Sequence, residues 1–304
     1  MIFEGTEKKF ELLIKPGTYS FRDLPRVFWD RVVAAAKAEI LSQIENDHCQ
    51  AFLLSESSLF VYDDRVVMIT CGKTQLVNSV ELIMSELPSL EIDSFIFERK
   101  NENFPSLQPT SFSDDVERLK SLFAGRAVYF GALDGHHLSV FHIDQPFAVS
   151  AEDITTEILM YDLAPAVREL FATNDADAIR KLAHSLLSPE AIIDEFFFEP
   201  MGYSMNALWG DTYYTIHVTP NDEGSYGSFE TNHTFDPTSF ETILSKVSRA
   251  FLPSRLDVVS FQVSARERLQ LDHFVLSGKE QRDLSCGYQV EFAHFQREAQ
   301  STEI

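Results

Sequence analysis

Short runs rich in β-branched and aromatic residues alternate with segments of helical period along both halves of this chain, and that alternation limits it to a mixed α and β fold. The β-rich runs are Ala51 to Leu54, Leu59 to Tyr62, Val66 to Cys71, Ala127 to Phe130, Leu138 to Ile143, Thr212 to Val218 and Val258 to Val263. Between Pro25 and Gln43 the spacing predicts a helix, with Phe28, Val32, Ala36 and Ile40 on one face and a proline near its first turn. Further helices are expected over about Gln75 to Leu87, Ser113 to Phe123, Asp177 to Leu187 and Thr238 to Phe251. An internal echo joins the halves: Ser57 to Cys71, turning at Asp63-Asp64, is similar to Ser204 to His217, turning at Gly210-Asp211. Both read as hairpins, and such a repeat would bring serine, cysteine and histidine from the two halves together. Asn101 to Pro109 and Asn174 to Ala176 read as surface loops, not domain linkers.

The 304 residues, 44% of them hydrophobic, suffice for a substantial core in one large domain or two fused halves. A formal charge of −22 disfavours nucleic acid and anionic membrane surfaces as partners. No stretch approaches the roughly 20 apolar residues that span a bilayer. Glu4, Glu7 and Glu11 interrupt any basic-then-apolar signal early, so a cytoplasmic protein is the expectation. Cys49, Cys71 and Cys286 are an odd number without paired spacing, which argues against a disulfide framework and a zinc site alike. The pair His136-His137 lacks a second histidine at ligand spacing and reads as exposed loop, so no metal is expected.

The segment Ser55-Glu56-Ser57-Ser58 admits two readings. Serine-rich tetrapeptides mark turns whose hydroxyls bond nearby backbone. Alternatively, the Ser57 hydroxyl attacks the carbonyl of Glu56, turning the amide into an ester from which elimination leaves residue 57 as a pyruvoyl group. The remaining motifs favour the second. Phe3-Glu4-Gly5-Thr6-Glu7-Lys8 precedes the serines, and Thr70-Cys71-Gly72-Lys73-Thr74 follows them. Downstream lie Phe198-Glu199-Pro200-Met201-Gly202-Tyr203-Ser204-Met205-Asn206, Tyr214-Thr215-Ile216-His217-Val218-Thr219-Pro220 and Ser228-Phe229-Glu230-Thr231-Asn232. In order and spacing this set resembles the eukaryotic-type S-adenosylmethionine decarboxylase proenzymes over nearly the whole chain.

The resemblance implies an α+β fold, an αββα sandwich of two antiparallel sheets flanked by helices, formed as one domain of two pseudo-repeated halves. It implies cleavage into a β chain of residues 1–56 and an α chain of residues 57–304, with a pyruvoyl group from Ser57 and neither metal nor pyridoxal phosphate. Decarboxylation of an α-amino acid leaves a carbanion that needs an electron sink, which the pyruvoyl ketone supplies through a Schiff base with the substrate amine. His217 is then the base that takes the Ser57 Cα proton, Ser204 steadies the intermediate, and Cys71 returns a proton to the substrate. Phe3 and Phe198 match the aromatic pair that sandwiches adenine. Leu54 and Glu56 match lining residues of the same pocket, and Glu4 and Glu7 match carboxylates used in activity. A homodimer of αβ units also fits the family, whose product feeds spermidine and spermine synthesis.

Two places depart from the pattern. The family carries a glutamate for the ribose hydroxyls just after the Thr-Pro of the histidine strand, and here that position is Asn221, which loses a two-oxygen, charge-assisted grip. The acidic pocket that binds putrescine in some members is matched by Glu11, Asp153, Thr155, Glu157 and Glu230. Within it, Ile69 stands where a lysine would relay charge to the active site, and Glu98 where a serine is expected. Binding of the diamine effector is therefore expected without strong activation. Two alternatives stay open: the same machinery acting on arginine or ornithine, and a catalytically silent partner subunit. Intact Ser57, Cys71, Ser204 and His217 disfavour the latter.

Overall fold

A computed structural model describes residues 3–17, 19–133, 135–263 and 269–298. In the first half the elements are β1 (Lys8–Ile14), α1 (Arg26–Ala35), β2 (Ile40–Glu45), β3 (Gln50–Leu54), β4 (Ser57–Val61), β5 (Arg65–Thr70), α2 (Leu76–Glu86), β6 (Ile92–Arg99), α3 (Phe112–Leu122), β7 (Gly125–Gly131) and β8 (His137–Ile143). The second half holds β9 (Thr155–Leu163), α4 (Pro165–Ala172), α5 (Ala176–His184), β10 (Ile192–Phe197), β11 (Tyr203–Trp209), β12 (Thr212–Thr219), β13 (Tyr226–Thr231), α6 (Pro237–Phe251), β14 (Pro253–Gln262), β15 (Phe274–Asp283) and β16 (Gln289–Arg297).

The strands form two eight-stranded antiparallel sheets, ordered β2-β3-β4-β5-β1-β6-β8-β7 and β10-β11-β12-β13-β9-β14-β16-β15. Raising each strand number in the first order by eight reproduces the second, so the halves are structural repeats. The repeat is offset from the echo in the sequence: hairpin β4–β5 corresponds to β12–β13, whereas the echoed segment Ser204 to His217 is β11–β12. Helix α1 also stops short of its expected end. Lys37, at φ 66, breaks the helical backbone. From Ile40 the residues alternate between half-buried and exposed, the two-residue period of the edge strand β2.

Each sheet packs helices on one face and its partner sheet on the other, which makes the αββα sandwich. Phe28, Trp29 and Val32 of α1, Val80 of α2 and Leu119 of α3 share a core with Phe10, Leu12 and Phe97. Phe240, Leu244 and Val247 of α6 do the same with Ile158, Ile216 and Phe229. Between the sheets Ala51, Phe60, Val67 and Ile69 meet Leu208 and Tyr213. The Phe60 and Tyr213 rings stack at 4.2 Å. The central strands alternate differently from surface strands, because their second face is also covered. In β1, Phe10 and Leu12 face the helices while Lys9 and Glu11 enter a polar layer between the sheets.

Candidate active site

Ser55 and Glu56 form the two-residue turn between β3 and β4, so Leu54 pairs with Ser57 and Ser57 in turn with Thr70. Ser57 takes φ 133, a backbone region that side-chain-bearing residues rarely enter. Such strain costs about 1–3 kcal/mol and persists only where the surroundings enforce it. The Ser57 hydroxyl is buried and lacks a hydrogen-bond partner. Ahead of it, the carbonyl oxygen of Glu56 accepts from the Cys71 backbone N–H at 2.9 Å and from the Cys71 thiol at 3.4 Å. Gly72 must be glycine: at φ 64, an added Cβ would lie 2.7 Å from the Glu56 carboxylate and 2.9 Å from the Phe3 ring.

Strands β11 and β12 of the other sheet face this turn, and their register sets Ser204 opposite His217 and Asn206 opposite Thr215. His217 Nδ1 lies 2.8 Å from Ser204 Oγ, and Nε2 lies 2.7 Å from Thr215 Oγ1 and 3.1 Å from Ser58 Oγ. Ser58 spans the gap between the sheets, donating to Asn206 Oδ1 at 2.6 Å. Burial pushes His217 down to about 3, so the imidazole is neutral at ordinary pH and one of its ring nitrogens carries no hydrogen. Burial, then the charges of Glu56 and Glu7, hold the Cys71 thiol well above its usual range and keep it protonated. Burial likewise raises Glu56 to about 7 against the pull of Lys8.

These groups open onto a cleft between the sheets, lined by Phe3, Glu56, Ser57, Cys71, Phe198, Ser204, His217 and Asn221 among others. The structure thus gathers eight of the residues singled out in the sequence. It sets others behind the wall. Leu54 is fully buried in the first core and is not among the lining residues. Glu4 accepts from the Thr6 hydroxyl at 2.5 Å and the Phe104 N–H at 2.5 Å, pinning the N-terminal strap to the loop of residues 101–104. Glu7 accepts from Tyr226 at 3.0 Å and Ser228 at 2.8 Å, and burial with the nearby charge of Glu230 raises it to about 7. Asn221 is committed differently from a ribose ligand: its amide donates to the Phe3 carbonyl at 2.6 Å.

Four of the five positions matched to a diamine pocket, the carboxylates Glu11, Asp153, Glu157 and Glu230, are already supplied with cations. Lys9 Nζ sits 2.9 Å from Glu157, 2.8 Å from Glu230 and 3.5 Å from Glu98. Lys100 Nζ lies 2.7 Å from Glu98 and also pairs with Glu157. Arg65 binds Glu11 at 2.8 Å and Asp153 at 2.7 Å, and Asp153 accepts from Tyr288 at 2.6 Å. Thr155 is buried at the start of β9. Burial opposes the charge on Glu157, but Lys100 and Lys9 hold it down at about 2. In Glu98 burial wins, with Glu157 beside it, and raises it to about 8. Ile69 belongs to the apolar layer between the sheets.

His136 is a correction. It is not exposed loop: its ring stacks on His294 at 4.1 Å, Nδ1 lies 3.1 Å from Asp257, and Arg255 donates to Nε2 at 2.7 Å. Since arginine only donates, Nδ1 carries the hydrogen toward Asp257, which His294 also approaches. The guanidinium makes this trio a poor seat for a cation. Cys49 and Cys286 are buried and free, and neither is among the cleft-lining residues.

Two stacked, repeated sheets with a strained serine turn, a thiol and a neutral histidine at one end of their interface define a four-layer sandwich with an interfacial active-site cleft. The chain belongs to the adenosylmethionine decarboxylase family, whose sequence profile matches residues 1–301. It is 34% identical over 278 residues to the S-adenosylmethionine decarboxylase proenzyme of Dictyostelium discoideum, covering 83% of this chain and 73% of that protein. The proenzyme of Caenorhabditis elegans is 35% identical over 288 residues, covering 88% and 78%. That of Xenopus laevis is 34% identical over 279 residues, covering 85% and 83%. The crystal structure of the Trypanosoma brucei AdoMetDC-delta26 monomer shares the fold, with a TM-score of 0.62 at 24% identity, covering 79% of this chain and 99% of that one. Among the described residues no helix is long and apolar enough to cross a membrane.

Proposed function

We propose that this chain is a self-processing decarboxylase of S-adenosylmethionine whose reactive carbonyl is made from its own Ser57. The observation that carries the reading is the Glu56–Ser57 peptide bond: strained at Ser57, with an unpartnered hydroxyl on one side and a carbonyl oxygen held by two Cys71 donors. Ser57 Oγ bonds to the Glu56 carbonyl carbon, and the charge that develops on the carbonyl oxygen meets the Cys71 N–H and thiol. The C–N bond then breaks, the nitrogen takes a proton, and an ester remains. Neutral His217 removes the Ser57 Cα proton, which expels the Glu56 carboxylate. The enamine left at residue 57 takes up water and loses ammonia to give the ketone, separating residues 1–56 from 57–304.

A pyruvoyl group supplies the electron sink for decarboxylation. The chain's own residues do the rest. Phe3 and Phe198 flank the flat base of the substrate, and the protonated Cys71 thiol delivers a proton to the α-carbon after carbon dioxide leaves. With every carboxylate of the acidic layer already paired to Lys9, Lys100 or Arg65, the enzyme works without a diamine effector. Carbon dioxide release from S-adenosylmethionine, arginine and ornithine, compared as kcat/KM, tests the substrate. S-adenosylmethionine should lead, and a tenfold preference for either amino acid, about 1.4 kcal/mol in transition-state binding, would overturn the choice.

A further inference from the structure

Both aromatic walls of the cleft are held by the same device. The Asn221 side-chain amide donates to the backbone carbonyl of Phe3 at 2.6 Å, and the Asn174 amide donates to that of Phe198 at 3.1 Å. The two asparagines come from unrelated places. Asn221 lies just beyond β12, and Asn174 sits between α4 and α5 at φ 51, a conformation asparagine tolerates better than most residues. Helix α4 fixes the first: Arg168 donates to the carbonyls of Asn221 and Asp222 at 3.4 and 2.9 Å. The wall residues have little freedom otherwise. Phe3 lies against Gly72, where even a methyl group would come within 2.9 Å of its ring. The Phe198 N–H donates to the Gly202 carbonyl at 2.9 Å, and its ring packs at 4.8 Å against Phe196.

We infer that Asn221 and Asn174 are positioning residues that set the gap between Phe3 and Phe198 and thereby select a substrate bearing a flat aromatic group. The inference rests on the proposed function, in which that group is adenine. Ring stacking rewards a narrow range of separations, so anchoring each wall at its own carbonyl fixes the distance between the two rings before the ligand arrives. A glutamate at position 221 has no N–H to give the Phe3 carbonyl. The asparagine therefore replaces a sugar contact with a firmer wall.

Aspartate at each position keeps the shape and the backbone tolerance and removes the donor. In Asn221→Asp and Asn174→Asp, KM for S-adenosylmethionine should rise about tenfold, of the order of one lost hydrogen bond, while kcat stays within about twofold. Self-cleavage should remain complete. Amide hydrogen exchange should quicken over residues 3–7 in the first variant and 198–202 in the second. Asn221→Ala should match Asn221→Asp, which assigns the effect to the missing donor and not to added charge. Unchanged KM in both aspartate variants, or a fall in kcat at constant KM, would overturn the inference. Unchanged exchange would overturn it as well, whatever the activity. Faster exchange in variants of a wild-type protein that does not turn over S-adenosylmethionine would sink the proposed substrate and leave the anchoring in place.

Discussion

At Ser57 the chain carries strain, an unpartnered hydroxyl and a carbonyl already furnished with donors, a combination with no use in a simple turn. The roles of Cys71 and His217 separate by experiment. Cys71→Ala keeps the backbone N–H that holds the Glu56 carbonyl and loses only the longer thiol contact, so cleavage should slow by less than the roughly 10²-fold typical of a strong oxyanion donor. Its decarboxylation should fall much further. His217→Ala should halt at the ester, which hydroxylamine splits; if hydroxylamine leaves that variant whole, His217 is not the eliminating base. That Ser57, Cys71, Ser204 and His217 converge on one cleft was legible because each sits in a recognisable motif. Ser58, Asn206 and Thr215 were not singled out, although all three join the histidine's hydrogen-bond network: Ser58 meets Asn206 and Thr215 across the sheet interface, about 150 residues away in sequence, while Thr215 reaches His217 two residues along the same strand.

At the level of strands, the polar layer between the sheets explains both a success and a failure of sequence reading. Strand β1 went unseen because Lys8, Lys9 and Glu11 make it look solvent-exposed, whereas every residue from Lys8 to Ile14 is buried. Glu157 in β9 and Glu230 in β13 likewise hide strands whose second face meets a partner sheet instead of water. The acidic residues themselves were found, but the cations that fill the space among them were not, since nothing in the local sequence shows that Lys9 and Lys100 reach Glu157. Lys9→Ala removes one partner from a buried ionic cluster and should cost about 3–5 kcal/mol in stability. Putrescine should leave the melting temperature and activity of wild-type protein nearly unchanged, yet restore much of the stability of Lys9→Ala by binding only its folded form. A large putrescine shift in wild type would mean that the layer has room for a diamine beside its own cations.

The whole molecule is a repeated half folded against itself, and its chemistry belongs to neither half alone. The first sheet brings the serine turn, the thiol and the Ser58 hydroxyl; the second brings the histidine, its partners Ser204 and Thr215, and one aromatic wall. The architecture followed from the motifs, while the pairing of hairpins between the halves did not. The echo aligned β4–β5 with β11–β12, one strand out of step, because its serines are placed by chemistry and not by the repeat. Cleavage between Glu56 and Ser57 would leave β3 and β4 paired across the former turn, so the sandwich should survive it intact. Intact-mass analysis of freshly purified wild-type and Ser57→Ala protein tests the central claim most directly. Wild type should give two chains, residues 1–56 and 57–304, with the larger lighter by one ammonia than its unmodified sequence, and Ser57→Ala should give one uncut chain of 304 residues. A single unprocessed chain in the wild-type sample, or a larger fragment that begins with an ordinary serine, would contradict the account.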